Sequence, residues 1–410
     1  TNCKSRFHSS VSPPASTRLR LALFNAQSVS STQQAQKRTE ITEFITDNDL
    51  DMMFLTETWL KENGDEGTCV DLTPVGYSMK SYPRAARGGG IAVVFRNSLA
   101  GCLSFDNDLP FSHQSFEYVH VTFASVERCV HLMCIYRPPP SNKNKLTDAM
   151  FLTEFHDLTD YCNTQNGIPV VFGDFNVHFD DLNHPCTTKL LDTLDVFQFT
   201  QSVSQPTHTK NHILDWVIHR PDDQIVESVA VSQALVSDHY CVLFDVLAQR
   251  PKQTPLSSTV RSLRSIDKAS FANDLQNALP CSQTADRLDA ALRAVLDSHA
   301  PACRRPVRSQ KFAPWYPDIC QDLRQAKRAR RRAERTWLKS GLTVHKQIFS
   351  AAKRVVSKLV LSAKTSFLQA QIVACSSSKK LFDLCSKLTG RIKVSPLPTV
   401  HPPSQLPVMF

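Results

Sequence analysis

No apolar run in this 410-residue sequence approaches the roughly 18 residues that a membrane span needs. Neither a transmembrane helix nor a membrane partner is expected. The thirteen cysteines include no CxxC pair and no Cys/His cluster at zinc spacing, and their number is odd. That excludes a zinc finger or ribbon. Cys129, Cys134 and Cys241 lie inside apolar segments, as buried thiols in a reducing compartment would. No internal repeat is present. Glycine is scarce beyond residue 262, where only Gly341 and Gly390 remain of eleven. Acid is scarce there too. Residues 251–410 hold 28 Lys+Arg against 9 Asp+Glu, a net of +19, whereas residues 1–250 hold 19 against 29, a net of −10. An asymmetry this large suggests two jobs, one of them near a polyanion. With 41% hydrophobic and 21% charged residues, the chain is not disordered throughout. It begins with Thr1 rather than Met, which fits a piece of a longer product.

What is present falls into five stretches. Residues 1–17 are polar with a Pro-Pro pair and read as a flexible leader. Residues 18–248 carry short runs rich in β-branched and aromatic residues. These are LRLALFNAQ (19–27), LDMMFLTET (50–58), GIAVVFR (90–96), SFEYVHVTF (115–123), VHLMCIYRP (130–138), IPVVFGDFN (168–176), HILDWVIHR (212–220) and HYCVLFDV (239–246). Helical spacing covers residues 39–48 and 148–163. Strands in hairpin-like succession with few helices predict a two-sheet α/β sandwich rather than a Rossmann sheet. Residues 249–265 read as a linker and 393–410 as a Pro-rich tail. Between them, 266–392 form a basic helical region, with helices predicted at 267–279, 284–298, 317–339, 342–372 and 377–389. In the fourth, Ile348, Ala352, Val355 and Leu359 suggest an amphipathic stripe.

Polar residues cluster at the ends of the apolar runs, although carboxylates and amides are poor strand formers. They are Asn25, Glu57, Tyr136, Asp174, Asn176, Asp215, Asp238 and His239. Asp174 and Asn176 of GDFN share a face if the strand stays extended, where a carboxylate could activate water and an amide orient it. An Asx turn closing the strand is the other reading. Asp215, inside the apolar ILDWVI, needs a partner, and His239 of SDH could be oriented by it; a loop histidine beside an N-cap Asp is the alternative. Glu57 offers the single carboxylate that Mg²⁺ minimally needs, or simply ends a strand.

Taken in order, NAQ, TETWL, GGGIAVVF, IYRPP, GDFN, ILDWVI and SDH resemble the endonuclease/exonuclease/phosphatase superfamily. Their wording, with QPTHT (205–209), is similar to the apurinic-type endonuclease of LINE-type non-LTR retrotransposons. The resemblance covers residues 19–247. It implies a four-layered two-sheet α/β sandwich followed by a mostly helical basic region. It implies that Glu57 binds Mg²⁺ (or Mn²⁺), that Asn25 sits beside it and that Asp238 lies near the metal. Asp174 would align or deprotonate the attacking water, and Asn176 would hold the water or a phosphate oxygen. His239, oriented by Asp215, would bind the scissile phosphate, and Tyr136 would hydrogen-bond it. Three segments depart from the pattern. Gln27 stands where an acid or Asn is common, Cys241 where Pro often follows SDH, and Asn211 and His212 where a Gly is common. FAPWYPDICQDLRQAKRARRRAERTW and SKKLFDLCSKLTG resemble the connector that precedes the reverse transcriptase in LINE polyproteins, with no polymerase motif in this chain.

Residues 324–339, RQAKRARRRAERTWLK, contain Glu334 as their one acid. Arg328, Arg330, Arg331, Arg332 and Arg335 suit a nucleic-acid backbone; a solvated helix face or a nuclear-localisation signal are the other readings. Trp337 reads as a packing anchor or a base-stacking platform. The expected function is a metal-dependent DNA endonuclease that nicks a target and leaves a 3′-hydroxyl for reverse transcription. Target DNA, element RNA and a reverse transcriptase are the expected partners. The expected location is nuclear, with a cytoplasmic ribonucleoprotein phase. A phosphatase or phosphodiesterase of the same superfamily, or a non-catalytic nucleic-acid-binding remnant, are the alternatives.

Overall fold

The computed structural model describes residues 18–84, 88–126, 129–235, 237–249, 257–278, 285–306, 315–316 and 320–389. The expected leader and tail lie outside these residues, as does most of the first half of the expected linker. In chain order come β1 (Arg18–Asn25), α1 (Ala35–Asp47), β2 (Met52–Thr56), α2 (Glu66–Leu72), β3 (Tyr77–Tyr82), β4 (Ile91–Arg96), β5 (Leu103–Asp106), β6 (Glu117–Ala124) and β7 (Cys129–Tyr136). Then follow α3 (Asp148–Thr164), β8 (Ile168–Asp174), α4 (Pro185–Val196), β9 (Thr200–Gln201), β10 (Asp215–His219), β11 (Val226–Ser232) and β12 (Cys241–Leu247). The remainder is β13 (Ser257–Val260), α5 (Lys268–Ala278), α6 (Ala285–His299), β14 (Cys303–Pro306), α7 (Cys320–Ser340), α8 (Thr343–Val373) and α9 (Ser378–Leu388).

Two mixed six-stranded sheets form the sandwich, in the orders β11-β12-β1-β2-β4-β3 and β5-β6-β7-β8-β10-β9. Alternation along β1 explains how one sheet serves two layers. Leu19, Leu21 and Leu23 join the core between the sheets, while Ala22 and Phe24 join Ile41, Phe44 and Ile45 of α1 in a second core outside it. The sheets meet through Phe54, Phe172 and Phe244, with edge-on ring centroids 4.7 and 5.2 Å apart. Helices α3 and α4 cover the other sheet through Phe151, Phe155, Leu190 and Leu194. The result is four layers, helix–sheet–sheet–helix.

The chain divides into two compact units, residues 1–251 with 311–410, and residues 252–310. In the smaller, β13 pairs antiparallel with β14, and His299 of α6 bonds Asp274 of α5 at 2.8 Å. In the larger, α7 and α8 form a hairpin against α1. Leu323 packs with Val356 and Val360, and Trp337 stacks on Phe349 at 5.3 Å. Trp337, 7% exposed, is therefore a packing anchor. The stripe expected on α8 is corrected: Ile348 and Val355 are each 52% exposed, and the neighbouring stripe Phe349, Val356 and Val360 is buried. Phe349 carries the larger apolar surface and selects that face. No described helix is long and apolar enough to cross a membrane.

Candidate active site

The polar residues at the strand ends converge because the strand registers align them. Asp174, closing β8, lies opposite Tyr136 of β7 on one side and opposite Asp215 of β10 on the other. Asn25 ends β1 in the facing sheet, beside Thr56 of β2. Gly173 makes the β7–β8 approach possible: it holds φ +155°, and a Cβ there would stand 1.9 Å from the Ile135 carbonyl oxygen.

Asn25 is the hinge of the hydrogen-bond network. Its Nδ2 donates to Asp174 Oδ2 at 2.8 Å and to Glu57 Oε1 at 3.0 Å, and its Oδ1 accepts the Gln27 N–H at 3.0 Å. Tyr136 Oη donates to the same Glu57 oxygen at 2.9 Å. Burial, then the Glu57 charge, pushes the Tyr136 phenol well above its ordinary value, so it stays a donor. Gln27 Nε2 donates to Asp238 Oδ2 at 2.9 Å. Glu57, Asn25 and Asp238 are thus tied into one string through Gln27, one of the residues that depart from the expected pattern.

Asp174, Asp215 and His239 form a second group, all buried, whose ligand atoms lie within 4.8 Å of one another. His239 Nδ1 is 2.8 Å from Asp215 Oδ2, and its Nε2 is 3.9 Å from Asp174 Oδ2. Burial disfavours the imidazolium, but Asp215 and then Asp174 outweigh it, and the pKa of His239 is pushed up. Burial raises the Asp174 carboxyl against the pull of His239. Thr207 Oγ1 accepts the N–H groups of Leu214 and Asp215 at 3.0 and 3.1 Å and so fixes the start of β10.

Asp174 and Asn176 meet through an Asx turn rather than an extended pleat. The Asn176 N–H donates to Asp174 Oδ1 at 3.0 Å, and Asn176 takes φ 47°. Its amide then donates to the Arg137 carbonyl at 2.8 Å and to Asp174 Oδ2 at 3.3 Å. Two residues not singled out from the sequence complete the site. Arg137, of IYRPP, is 2% exposed; its N–H donates to the Asp174 carbonyl and its guanidinium to the Phe175 and Asn176 carbonyls. His208, of QPTHT, bridges to His239 and lies 3.8 Å from Asp238. His208 Nδ1 accepts the Lys210 N–H, which leaves the proton on Nε2. That tautomer makes His208 a donor, although His208, Asp238 and His239 are close enough to hold an ion.

The donor set fits a hard divalent cation. Glu57 and Asp238 are partly exposed oxygen donors, Glu57 has one oxygen oriented by Asn25 and Tyr136, and Asp238 is held by Gln27. Mg²⁺ takes one or two protein carboxylates and fills the rest with water and substrate phosphate. The buried Asp215–His239 pair is already internally bonded and suits orientation better than ligation.

The expected nucleic-acid arginines sit apart from this site, on α7. Arg328, Arg331, Arg332 and Arg335 are exposed. Arg330 is turned inward, 2.7 Å from Asp47 of α1, and Arg331 reaches the same carboxylate at 3.5 Å.

None of the curated proteins matches the chain. Similar solved structures include the endonuclease domain of TRAS1, a telomere-specific non-LTR retrotransposon, at 11% identity and TM-score 0.42 over 57% of this chain and 100% of that one. AP endonuclease LMAP from Leishmania major is 12% identical, with TM-score 0.44 over 57% and 88% of the two chains. The 3′ phosphatase NExo from Neisseria, bound to a product DNA hairpin, is 17% identical, with TM-score 0.41 over 56% and 99%. Residues 22–239 match the model of the Endonuclease/Exonuclease/phosphatase family, which is more than half of the sequence, and the chain belongs to that family.

Proposed function

We propose that the protein is a Mg²⁺-dependent DNA endonuclease of the LINE retrotransposon type, which nicks target DNA and leaves a 3′-hydroxyl of the kind that primes reverse transcription. Members of its family are typically hydrolases of phosphodiester bonds. The observation that carries the reading is the buried Asp215–His239–Asp174 alignment, joined through Asn25 to Glu57. TETWL, the Gly88–Gly90 triplet, IYRPP and QPTHT favour the retrotransposon branch over repair enzymes or small-molecule phosphatases.

Hydrolysis needs a deprotonated water in line with the leaving O3′ and donors on the non-bridging oxygens. Asp174 accepts the proton; its carboxyl, raised by burial, is a stronger base than an exposed aspartate. Asn176 holds the water or a phosphate oxygen. His239, kept protonated by Asp215, donates Nε2–H to the phosphate as charge builds there; Tyr136, whose one O–H is held by Glu57, would add a donor to the phosphate only by releasing that bond. A divalent ion bound by Glu57, with Asp238 near it, would supply Lewis-acid stabilisation of the phosphate charge. The exposed arginines of α7 would hold target DNA or element RNA by their backbones. Such a protein works in the nucleus, with a cytoplasmic ribonucleoprotein phase.

Nicking of supercoiled plasmid by the whole chain with Mg²⁺ tests the reading. Asp174→Ala and His239→Ala should abolish the open-circular product, as should chelation of the metal. Nicking that persists in either folded variant refutes the mechanism. Release of phosphate from inositol phosphates with no DNA nicked would move the protein to the phosphatase branch.

A further inference from the structure

The Gly88–Gly90 triplet has no role in the chemistry above, and its loop leads to a carboxylate that the motifs do not include. Glu117 opens β6 opposite Tyr136 of β7. Its Oε2 accepts the Gly90 N–H at 2.6 Å, and its Oε1 lies 3.6 Å from Arg84 Nη1. The carboxylate rests directly on glycine backbone. A Cβ on Gly89 would stand 2.1 Å from Glu117 Oε1, and one on Gly90 would stand 2.8 Å from Thr58 Oγ1. Both glycines hold positive φ, +71° and +86°.

From this loop the hydrogen bonds run to the segment that carries Glu57. The Gly90 carbonyl accepts the Thr58 N–H at 3.2 Å, and the Gly89 carbonyl accepts the Trp59 N–H at 2.8 Å. Glu57 and Trp59 themselves hold φ of 49° and 57°. A non-glycine residue keeps that conformation only where its surroundings impose it. Meanwhile Tyr136, across the β6–β7 pair from Glu117, donates to Glu57 Oε1. Glu117 therefore abuts both supports of Glu57, the loop that braces its backbone and the strand that orients its carboxylate.

We propose that Glu117 is a positioning residue for Glu57: it pins the Gly89–Gly90 loop, the loop pins Thr58 and Trp59, and the turn so fixed aims the Glu57 carboxylate at a divalent cation. The proposal rests on the reading of Glu57 as a metal ligand. A loop brace with no bearing on the ion would affect stability and leave metal affinity alone. Partners that orient a ligand typically change affinity by about 10–100-fold when removed.

The test is Mn²⁺ binding by the whole chain, followed through the EPR signal of the free ion, so the readout does not need turnover. Glu57→Gln sets the reference and should remove the high-affinity site. Glu117→Met keeps the volume but has no acceptor, and should weaken Mn²⁺ by about 10-fold or more at unchanged far-UV circular dichroism. Glu117→Gln retains an oxygen for the Gly90 N–H and should bind nearly as wild type does. Gly89→Ala, whose methyl would displace the carboxylate from the other side, should reproduce the loss and decides the matter if Glu117→Met does not fold. Wild-type affinity in a folded Glu117→Met or Gly89→Ala protein overturns the proposal. So does a Glu117→Gln protein as weak as Glu117→Met, which would assign the effect to charge. If Glu57→Gln itself leaves Mn²⁺ bound, the metal reading of Glu57 fails and the proposal falls with it; loss in Glu57→Gln alone overturns only the role of Glu117.

Discussion

Asp47 ties the basic hairpin to the sandwich, and its removal should be costly. The carboxylate, 12% exposed at the end of α1, meets Lys327 at 3.2 Å, Arg330 at 2.7 Å and Arg331 at 3.5 Å. Lys327 also pairs with Glu43, and Lys353 with Glu40 at 3.2 Å. Burial works against the Lys327 ammonium, but Glu43 and then Asp47 outweigh it and raise its pKa. Asp47→Asn keeps the shape and removes the charge, which leaves Arg330, 13% exposed, facing a neutral amide. Breaking a fully buried pair costs about 3–5 kcal/mol. Lys327 retains Glu43 and Arg331 is half in water, so about 2 kcal/mol is the expected loss after screening. At about 2–4 °C per kcal/mol for a domain of 150–250 residues, the melting temperature should fall by about 4–8 °C. Calorimetry on the whole chain reads this directly. Adding Arg330→Gln to Asp47→Asn should recover part of the loss, because the guanidinium is then no longer left without its carboxylate. A melting temperature within about 1 °C of wild type in Asp47→Asn would refute the claim that these acids anchor the hairpin.

Two further perturbations separate chemistry from stability. Asp215→Asn should leave the fold intact and lower the nicking rate by about 10²–10⁴-fold, because the amide no longer holds His239 in its protonated orientation; a loss below tenfold in single-turnover nicking would count against that role. His120, buried and 2.9 Å from His131 Nδ1, is pushed from 6.5 down to about 4, first by burial and then by His131. The unfolded chain therefore takes up this proton first as pH falls, and between about pH 6.5 and pH 4 the fold should lose up to about 3 kcal/mol. Urea midpoints at pH 7.5 and pH 5 measure it, and a slope equally steep in His120→Gln would assign the loss elsewhere.

The sandwich was legible because its central strands are long apolar runs with polar ends, as in LALFN, VVFGD and LDWVI. The edges were not. Strands β3, β5 and β11 read YSMKSY, LSFD and VESVAVS, half-exposed segments in which hydrogen bonding to a neighbour, not apolar content, makes the strand. Helix α4 is not among the expected helices, although His184 caps it and Pro185 opens it. At the site, residue types that strands disfavour gave away Asn25, Glu57, Asp174 and His239. Arg137 and His208 did not stand out, since each lies in a loop or just past a strand end where polar residues are ordinary, and Gln27 stood out as a departure from the pattern but not for its bond to Asp238. Their roles depend on distances across the sandwich that local sequence does not carry. The seven-residue spacing of Phe349 and Val356 was present in α8 as clearly as that of Ile348 and Val355; which stripe faces inward depends on Trp337 in the preceding helix.

The charge asymmetry also changes meaning once the hairpin is placed. Lys327, Arg330 and Lys353 are spent on Glu43, Asp47 and Glu40, so they neutralise the acidic half rather than attract a polyanion. The outer face of α7 is open to phosphate, with Arg324, Arg328, Arg332 and Arg335 exposed. Each phosphate contact on duplex DNA contributes about 0.9 to the slope of log affinity against log salt. Replacing Arg328, Arg332 and Arg335 together by Gln should therefore flatten that slope by about 2.7 and leave the melting temperature near wild type. Arg330→Gln should do the reverse, lowering stability with little change in slope. Fluorescence anisotropy of a labelled duplex across a salt series, beside melts of the same proteins, distinguishes the two faces. If Arg330→Gln flattens the slope as much as an outer arginine does, the inward pairing does not persist when nucleic acid binds.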